Sequence, residues 1–358
     1  MNPFKILNKR RRRLLWKMLR GMKFNRTTFD FLLNHINWLL LNRNKSVVVP
    51  HPTNLMLELS AKCNLHCVMC AREFQYGKDM DQGFMPIDKA KMIVDQAIPY
   101  LSSIGLTGLG ETLLYPDFVE ICRYIKEKKR NVIITISTNA HFKGYLEKLR
   151  QAIPYIDNLQ ISVDGVGGVY EKIRPGTDFD FIKENIRSTA AECRIYGIEL
   201  KMNFVITPWN YRDMENVIDF AKEMGARSIE MNPMNIASNP ECTRDFYDFF
   251  KTSEYIEVCE RACKHAQEIG QEISMLPYED HPGFRSCPYP WDHPYITWNG
   301  YFIPCCGKPF PKLLNFGNVF EAKNLMSVIN SEAAQDFRKR WQQDKAPVFC
   351  KNCQFVNF

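Results

Sequence analysis

Six short β-rich runs alternate with helical stretches between residues 54 and 233, and this alternation limits the fold more than any other feature of the chain. The runs are Leu55–Leu59, Ser103–Thr107, Val132–Thr138, Leu159–Val163, Glu199–Ile206 and Ser228–Asn232. Between them, Asp88 is expected to N-cap a helix over Lys89–Ala97, and Pro116 to open one through Phe118, Ile121 and Ile125. Phe181, Ile182, Ile186 and Ala190 mark the apolar stripe of a third helix; Met214, Val217, Ile218 and Ala221 mark a fourth. Strands separated by helices in this way read as parallel βαβ units of an α/β fold. Right-handed crossovers then bring the C-terminal ends of the strands to one face, where the chemistry of such folds is found.

The first strand runs directly into Ser60-Ala-Lys-Cys-Asn-Leu-His-Cys-Val-Met-Cys, which holds Cys63, Cys67 and Cys70 at C-x3-C-x2-C spacing. A compact loop can turn three such thiolates inward. Three thiolates suit a cubic [4Fe–4S] cluster and leave one iron without a protein ligand, open to a substrate or cofactor. The competing reading is zinc, with His66 or a remote cysteine as fourth ligand. His66 adjoins Cys67 and is poorly placed to share one tetrahedron with it. The chain has 13 cysteines and no export signal, so metal ligation is expected before disulfides.

This cysteine spacing after the first strand of a parallel six-strand βα array resembles the radical S-adenosylmethionine (SAM) superfamily. The resemblance spans about residues 54–235 and implies a partial (β/α)6 barrel like an opened TIM barrel. It also implies that SAM binds the open iron through its amino and carboxylate groups. One electron then cleaves SAM to a 5′-deoxyadenosyl radical, which takes a hydrogen atom from an unactivated carbon. Carried over residue by residue, Gly108, Gly110 and Glu111 are similar to the Gly-Gly-Glu motif that holds the SAM amino group. Thr138 and Asn139, in Ser137-Thr-Asn-Ala140, resemble the Thr-Asn-Gly segment near the ribose; Ala140 replaces the usual glycine and is expected to reshape that loop. Ser162, in Ile161-Ser-Val-Asp164, resembles a polar SAM contact. Arg174 is a candidate bidentate partner for the SAM carboxylate, against the plain reading of a solvated residue before Pro175. Met69 stands where the family often has an aromatic residue against the adenine.

After residue 233 the composition shifts. Residues 233–252 read as a linker, Glu254–Ile269 as a helix, and the tail from Met275 as a Pro-, Trp-, Tyr- and Cys-rich segment too poor in aliphatic residues to fold unaided. Asn299-Gly300 between Tyr295–Trp298 and Tyr301–Ile303 signals a β-hairpin. Cys287, Cys305, Cys306, Cys350 and Cys353 cluster in this tail. They resemble the SPASM and twitch extensions of radical SAM enzymes, which carry auxiliary [4Fe–4S] clusters. Cys287, Cys305, Cys350 and Cys353 are the expected ligands, with Cys306 spare; a zinc ribbon fits the same residues. Full ligation by four cysteines leaves a cluster that accepts or conducts electrons, or staples the domain. The remaining cysteines, Cys122, Cys193, Cys242, Cys259 and Cys263, are expected as small buried hydrophobes.

The domain reading is therefore a basic segment over 1–50, a radical SAM core over 51–235, and a small cysteine-rich α+β domain over 236–358. Residues 1–50 hold twelve Lys and Arg against Asp30 alone, a local charge of +11 in a chain of net charge +7, which leaves −4 on the other 308 residues. A basic end on a mildly acidic body points to a tether rather than to nucleic acid. Residues 9–24 can form a basic amphipathic helix, seated either on an anionic membrane surface or on the barrel. No run approaches the roughly 18 apolar residues of a membrane span. The expected protein is cytoplasmic and reduced by a flavodoxin or ferredoxin, with peripheral contact at the inner membrane face left open between the two seats of that helix. Its expected reaction is oxidation of an alcohol or sugar-like carbon. Modification of a ribosomal peptide is the alternative, disfavoured by a short N-terminus without a peptide-recognition domain. A zinc-stabilised, non-catalytic binding protein is the alternative of another class. No substrate base is assigned; Asn203, Glu230, Asn232, Arg285 and Asp292 fall near the open face.

Overall fold

A computed structural model describes residues 26–41, 46–275, 287–343, 345, 347–350 and 353. All six β-rich runs form strands: β1 (Asn54–Leu57), β2 (Ser103–Gly105), β3 (Ile133–Thr138), β4 (Asn158–Ser162), β5 (Glu199–Ile206) and β6 (Ser228–Pro233). Each pairs in parallel with its neighbour. Three more strands extend the sheet: β7 (Glu272–Met275), β8 (Tyr295–Ile296) and β9 (Phe302–Ile303). The order is β7-β6-β5-β4-β3-β2-β1-β8-β9, and only β9 is antiparallel to its neighbour.

Alternation along the strands separates two faces. Leu55, Leu57, Ile104, Ile134, Ile136, Leu159, Ile161, Met202, Phe204, Ile206, Ile229 and Met231 point one way and are fully or almost fully buried. They share one core with the inner stripes of α2 (Ile87–Ala97), α3 (Phe118–Lys128), α4 (Tyr145–Ala152), α5 (Phe179–Tyr196), α6 (Met214–Met224) and α7 (Ser253–Glu268), all of which follow α1 (Arg26–Leu40). The opposite face carries Ser137, Gln160, Ser162, Lys201, Asn203, Glu230 and Asn232, all half-buried.

Several details depart from expectation. Helix α2 begins at Ile87 after Pro86, so Asp88 lies in its first turn, where it complements the helix dipole instead of capping. Phe181 is 41% exposed, because Ile182 and Ile186 already define the inner stripe of α5 and Phe181 lies off that line. Residues 233–252 are not a linker. Ile236 and Tyr247 are fully buried, and Tyr247, Phe249, Phe250 and Tyr255 pack ring against ring. The tail does not stand apart either. Its hairpin joins the main sheet beside β1, and Phe302, Phe316, Val328 and Phe337 belong to the common core. Gly300 makes the hairpin turn at φ 89°, and a Cβ there would lie 2.5 Å from Asn318 Oδ1. Cys122 and Cys193 are buried as expected, whereas Cys242, Cys259 and Cys263 are only half-buried. The expected basic helix over 9–24, and Arg285, lie outside the described residues.

Candidate active site

The loop after β1 is clamped from two sides before it reaches the cysteines. Ala61 N donates to Gly83 O at 3.0 Å, while Gly110 N donates to Ser60 O at 3.2 Å and Glu111 N to Lys62 O at 2.9 Å. Gly110 is required for this approach, since a Cβ would meet three backbone atoms of Ser60–Lys62 within 2.8 Å. Gly108 makes room for Glu58 in the same manner. Both glycines thus admit a neighbouring part of the chain, not the cofactor alone.

Beyond the clamp, Cys67 O accepts from Cys70 N at 2.9 Å, and Val68 N donates to Ile173 O at 3.0 Å. Burial pushes the Cys67 thiol up to about 12 and raises Cys70; each also feels the charge of Cys63. The three sulfurs therefore lie in one electrostatic neighbourhood. His66 points away, 74% exposed and 3.1 Å from Glu73 Oε1. Three thiols with no imidazole beside them form a donor set suited to an iron–sulfur cluster with an open corner.

The loops after β2 and β3 meet at Glu111, which is 3% exposed. Its Oε1 accepts from Thr138 Oγ1 at 2.7 Å and Leu113 N at 3.1 Å, and its Oε2 from Asn139 N at 2.7 Å. Burial raises Glu111 above the usual carboxylate value, opposed by these donors. The expected acceptor for the SAM ammonium is thus already engaged in fixing Thr138 and Asn139. Asn139 Nδ2 in turn reaches Asn64 Oδ1 at 3.0 Å and Cys63 Sγ at 3.8 Å. Ala140 takes φ 54°, so the loop keeps the left-handed turn of a glycine instead of adopting another shape.

Ser162 lies at the end of β4 in register with Asn203, half-buried, and Met69 is half-buried before Cys70. Arg174 is not the solvated residue of the plain reading. It is 5% exposed, and its Nε and Nη2 donate to Asp164 Oδ2, the Nε at 3.1 Å. Asp164 Oδ1 accepts from Val205 N at 2.8 Å. Two of the guanidinium nitrogens are thereby held by Asp164, beside Cys67.

The second cysteine group encloses a cavity of about 30 Å³ lined by Cys287, Cys305, Cys350 and Cys353, and not by Cys306. Asn235 and Ala237, which follow β6, line it too, so the segment read as a linker is part of its wall. Cys305 and Cys306 share a sulfur hydrogen bond that drives Cys305 up and Cys306 down. Burial pushes Cys287 up to about 12 and raises Cys350. Four thiols, with no carboxylate or imidazole among the lining residues, are the donor chemistry of a fully ligated iron–sulfur cluster.

Three buried polar residues escaped the sequence reading. Glu58 Oε1 accepts from Leu109 N at 2.8 Å and Tyr295 Oη at 3.0 Å, and its Oε2 from Trp298 N at 3.2 Å. It thereby binds β1, the Gly108–Glu111 loop and the tail hairpin together. An acidic residue inside the apolar run Leu55–Leu59 was the available signal. Arg72 is 6% exposed; its Nη2 donates to Gln82 Oε1 at 3.0 Å, and its Nε and Nη1 have no hydrogen-bond partner among the described residues. Lys308, beside the second cysteine group, donates to Phe349 O at 3.0 Å.

Comparison with known proteins defines the class. The family model of the Radical SAM superfamily matches residues 57–221, and that of the SPASM iron–sulfur cluster-binding domain matches residues 287–354. The chain thus carries a Radical SAM domain and a C-terminal SPASM domain. Its cofactors are SAM and two [4Fe–4S] clusters, which sets aside the zinc readings. A probable GTP 3′,8-cyclase of Methanococcus maripaludis is 26% identical over 316 residues, 82% of this chain and 95% of the relative. A PqqA peptide cyclase of Ruegeria pomeroyi is 25% identical over 320 residues, 87% of this chain and 82% of the relative. The structure of Streptococcus suis SuiB bound to S-adenosylmethionine shares the fold at TM-score 0.65 and 18% identity, over 89% of this chain and 75% of that one. SuiB bound to its precursor peptide SuiA gives the same score at 17% identity, over 93% of this chain and 76% of that one.

Proposed function

We propose that this radical SAM enzyme modifies a peptide substrate. In this reading Cys63, Cys67 and Cys70 hold the SAM-binding cluster, and Cys287, Cys305, Cys350 and Cys353 hold the auxiliary one. When bound, the first cluster supplies the electron that cleaves SAM to a 5′-deoxyadenosyl radical. The chain's own residues position the reactants. The Gly83 and Gly110 contacts fix the cysteine loop, and Glu111 holds Thr138 and Asn139 beside it. Met69 and Ser162 flank the expected SAM site, and Arg174 acts through Asp164 as a buried cation next to Cys67.

The observation that carries the peptide reading is the charge of the half-buried sheet face opposite the apolar core. Nucleoside triphosphates are met by clustered Arg and Lys. Within β1–β6 the one cation on this face is Lys201, 3.5 Å from Glu230, which also accepts from Gln160 at 3.1 Å. The rest includes the amides and hydroxyls of Ser137, Gln160, Ser162, Asn203 and Asn232, with the apolar Met56 and Val205 among them. Such a lining suits the neutral amides of a peptide. Among the relatives, PqqA peptide cyclase and SuiB with SuiA support this reading, and they favour it over the expected oxidation of an alcohol or sugar-like carbon.

Reconstituted enzyme, SAM and a strong reductant are to be incubated with short peptides encoded beside this chain's gene, or with GTP. One peptide is expected to stimulate 5′-deoxyadenosine release and to change mass. Stimulation and consumption of GTP, with every such peptide inert, contradicts the proposal.

A further inference from the structure

Helix α1 (Arg26–Leu40) has two apolar faces, and the protein uses one of them. The inner face is docked firmly. Phe31 and Asn34 are buried; Asn34 Nδ2 and Trp38 Nε1 both donate to His51 O, at 2.9 and 2.8 Å. His35 Nε2 pairs with Ser102 Oγ at 2.9 Å, and Lys129 Nζ lies 4.0 Å from the Phe31 ring centroid. With one face fixed in this way, the other cannot turn inward.

That outer face is Phe29, Leu32, Leu33, Ile36, Leu39 and Leu40, with Phe29 64%, Ile36 50%, Leu39 85% and Leu40 77% exposed. At about 100° per residue all six fall within an arc of about 120°. Six large side chains exposed on one ridge make a contiguous apolar patch on the order of several hundred Å², at or above the largest patch of an ordinary soluble monomer. Asp30, the acidic residue of α1, is half-buried to one side of the ridge. Among the described residues no helix is long and apolar enough to cross a membrane, so a bilayer would be met along the surface.

Charge selects the occupant. The first 50 residues carry twelve Lys and Arg against Asp30, and eleven of the twelve lie outside α1. An apolar ridge whose sequence neighbours are this rich in basic residues is complementary to a surface that is apolar beneath and anionic above. We propose that α1 seats the protein on an anionic lipid bilayer, with Phe29, Leu33, Ile36 and Leu40 at the headgroup boundary and the net charge of +11 over residues 1–50 supplying the electrostatic attraction. This inference does not depend on the identity of the substrate.

The test uses full-length reconstituted protein sedimented with vesicles of phosphatidylcholine, with or without phosphatidylglycerol, at low and high salt. Binding is expected with the anionic vesicles, weakened by salt. The variant Leu33→Gln/Ile36→Gln/Leu40→Gln changes exposed positions only; it is expected to lower anionic-vesicle binding at least tenfold while keeping the iron content and the SAM-cleavage rate in solution. Equal binding to neutral vesicles overturns the charge argument. Unchanged binding by the triple variant overturns the role of the ridge. A dimer in solution that the same variant disperses, with no vesicle binding, assigns the ridge to a second copy of the chain and overturns the proposal.

Discussion

Replacing Gly110 with alanine tests whether the loop before Cys63 is positioned by backbone contact. The added Cβ would lie 2.4 Å from Ser60 O, 2.5 Å from Lys62 O and 2.8 Å from the Ala61 carbonyl carbon. None of these is a flexible side-chain end, and the far side of the segment is held by Gly83 O and by the Ser60–Phe84 bridge. Ordinary contact starts at 3.4 Å, so the loop must yield by about 1 Å, at an overpacking cost of about 1–3 kcal/mol. A displacement of about 1 Å at a reacting centre lowers rate about 100-fold. Gly110→Ala is therefore expected to cut 5′-deoxyadenosine formation, followed by chromatography, by about two orders of magnitude. Gly105→Ala is the matched control, because its Cβ meets nothing nearer than Met56 Cγ at 3.7 Å. A wild-type rate in Gly110→Ala would refute the clamp, as would an equal loss in Gly105→Ala.

Other perturbations read different parts of the site. Ala140→Gly removes a side chain from a left-handed position and is expected to leave stability unchanged or raise it by up to about 1 kcal/mol in urea denaturation; a clear loss contradicts the strain argument. Asp164→Ala strands the buried Arg174 and should cost about 3–5 kcal/mol, seen as a lower denaturation midpoint, whereas a surface-like effect below about 1 kcal/mol refutes the pairing. Burial raises Glu58 and Glu111 above the ordinary 4.5, so the folded chain keeps protons that the unfolded chain has released. Their contribution is then most favourable below 4.5 and declines as pH climbs from 4.5 through the raised folded value. Glu58→Gln should flatten that decline, and an unaltered pH–stability profile contradicts it.

The strands and the first cysteine group were legible because their signals are local. Alternating Ile, Thr and Ser in β3 and the full eight-residue pattern of β5 announce half-buried strands without help from distant residues. The C-x3-C-x2-C spacing is likewise contained in eight residues. What failed was decided by distant neighbours. Strand β7 has a weak, half-exposed pattern and exists because β6 pairs with it. Residues 233–252 look like a linker until their aromatic rings find one another and Asn235 reaches the second cysteine group. Arg174 before Pro175 resembles a surface residue; its burial depends on Asp164 ten positions earlier. Glu58 passes as an oddity in an apolar run, although its partners Leu109, Tyr295 and Trp298 come from two other segments.

The division of labour between the two cysteine groups is best tested by replacing Cys63, Cys67 and Cys70 together with alanine in anaerobically reconstituted protein. Iron and sulfide should fall to the content of a single remaining cluster, and 5′-deoxyadenosine formation should cease. Continued formation of 5′-deoxyadenosine in that variant, or loss of all iron from it, would contradict the assignment of SAM cleavage to the loop after β1.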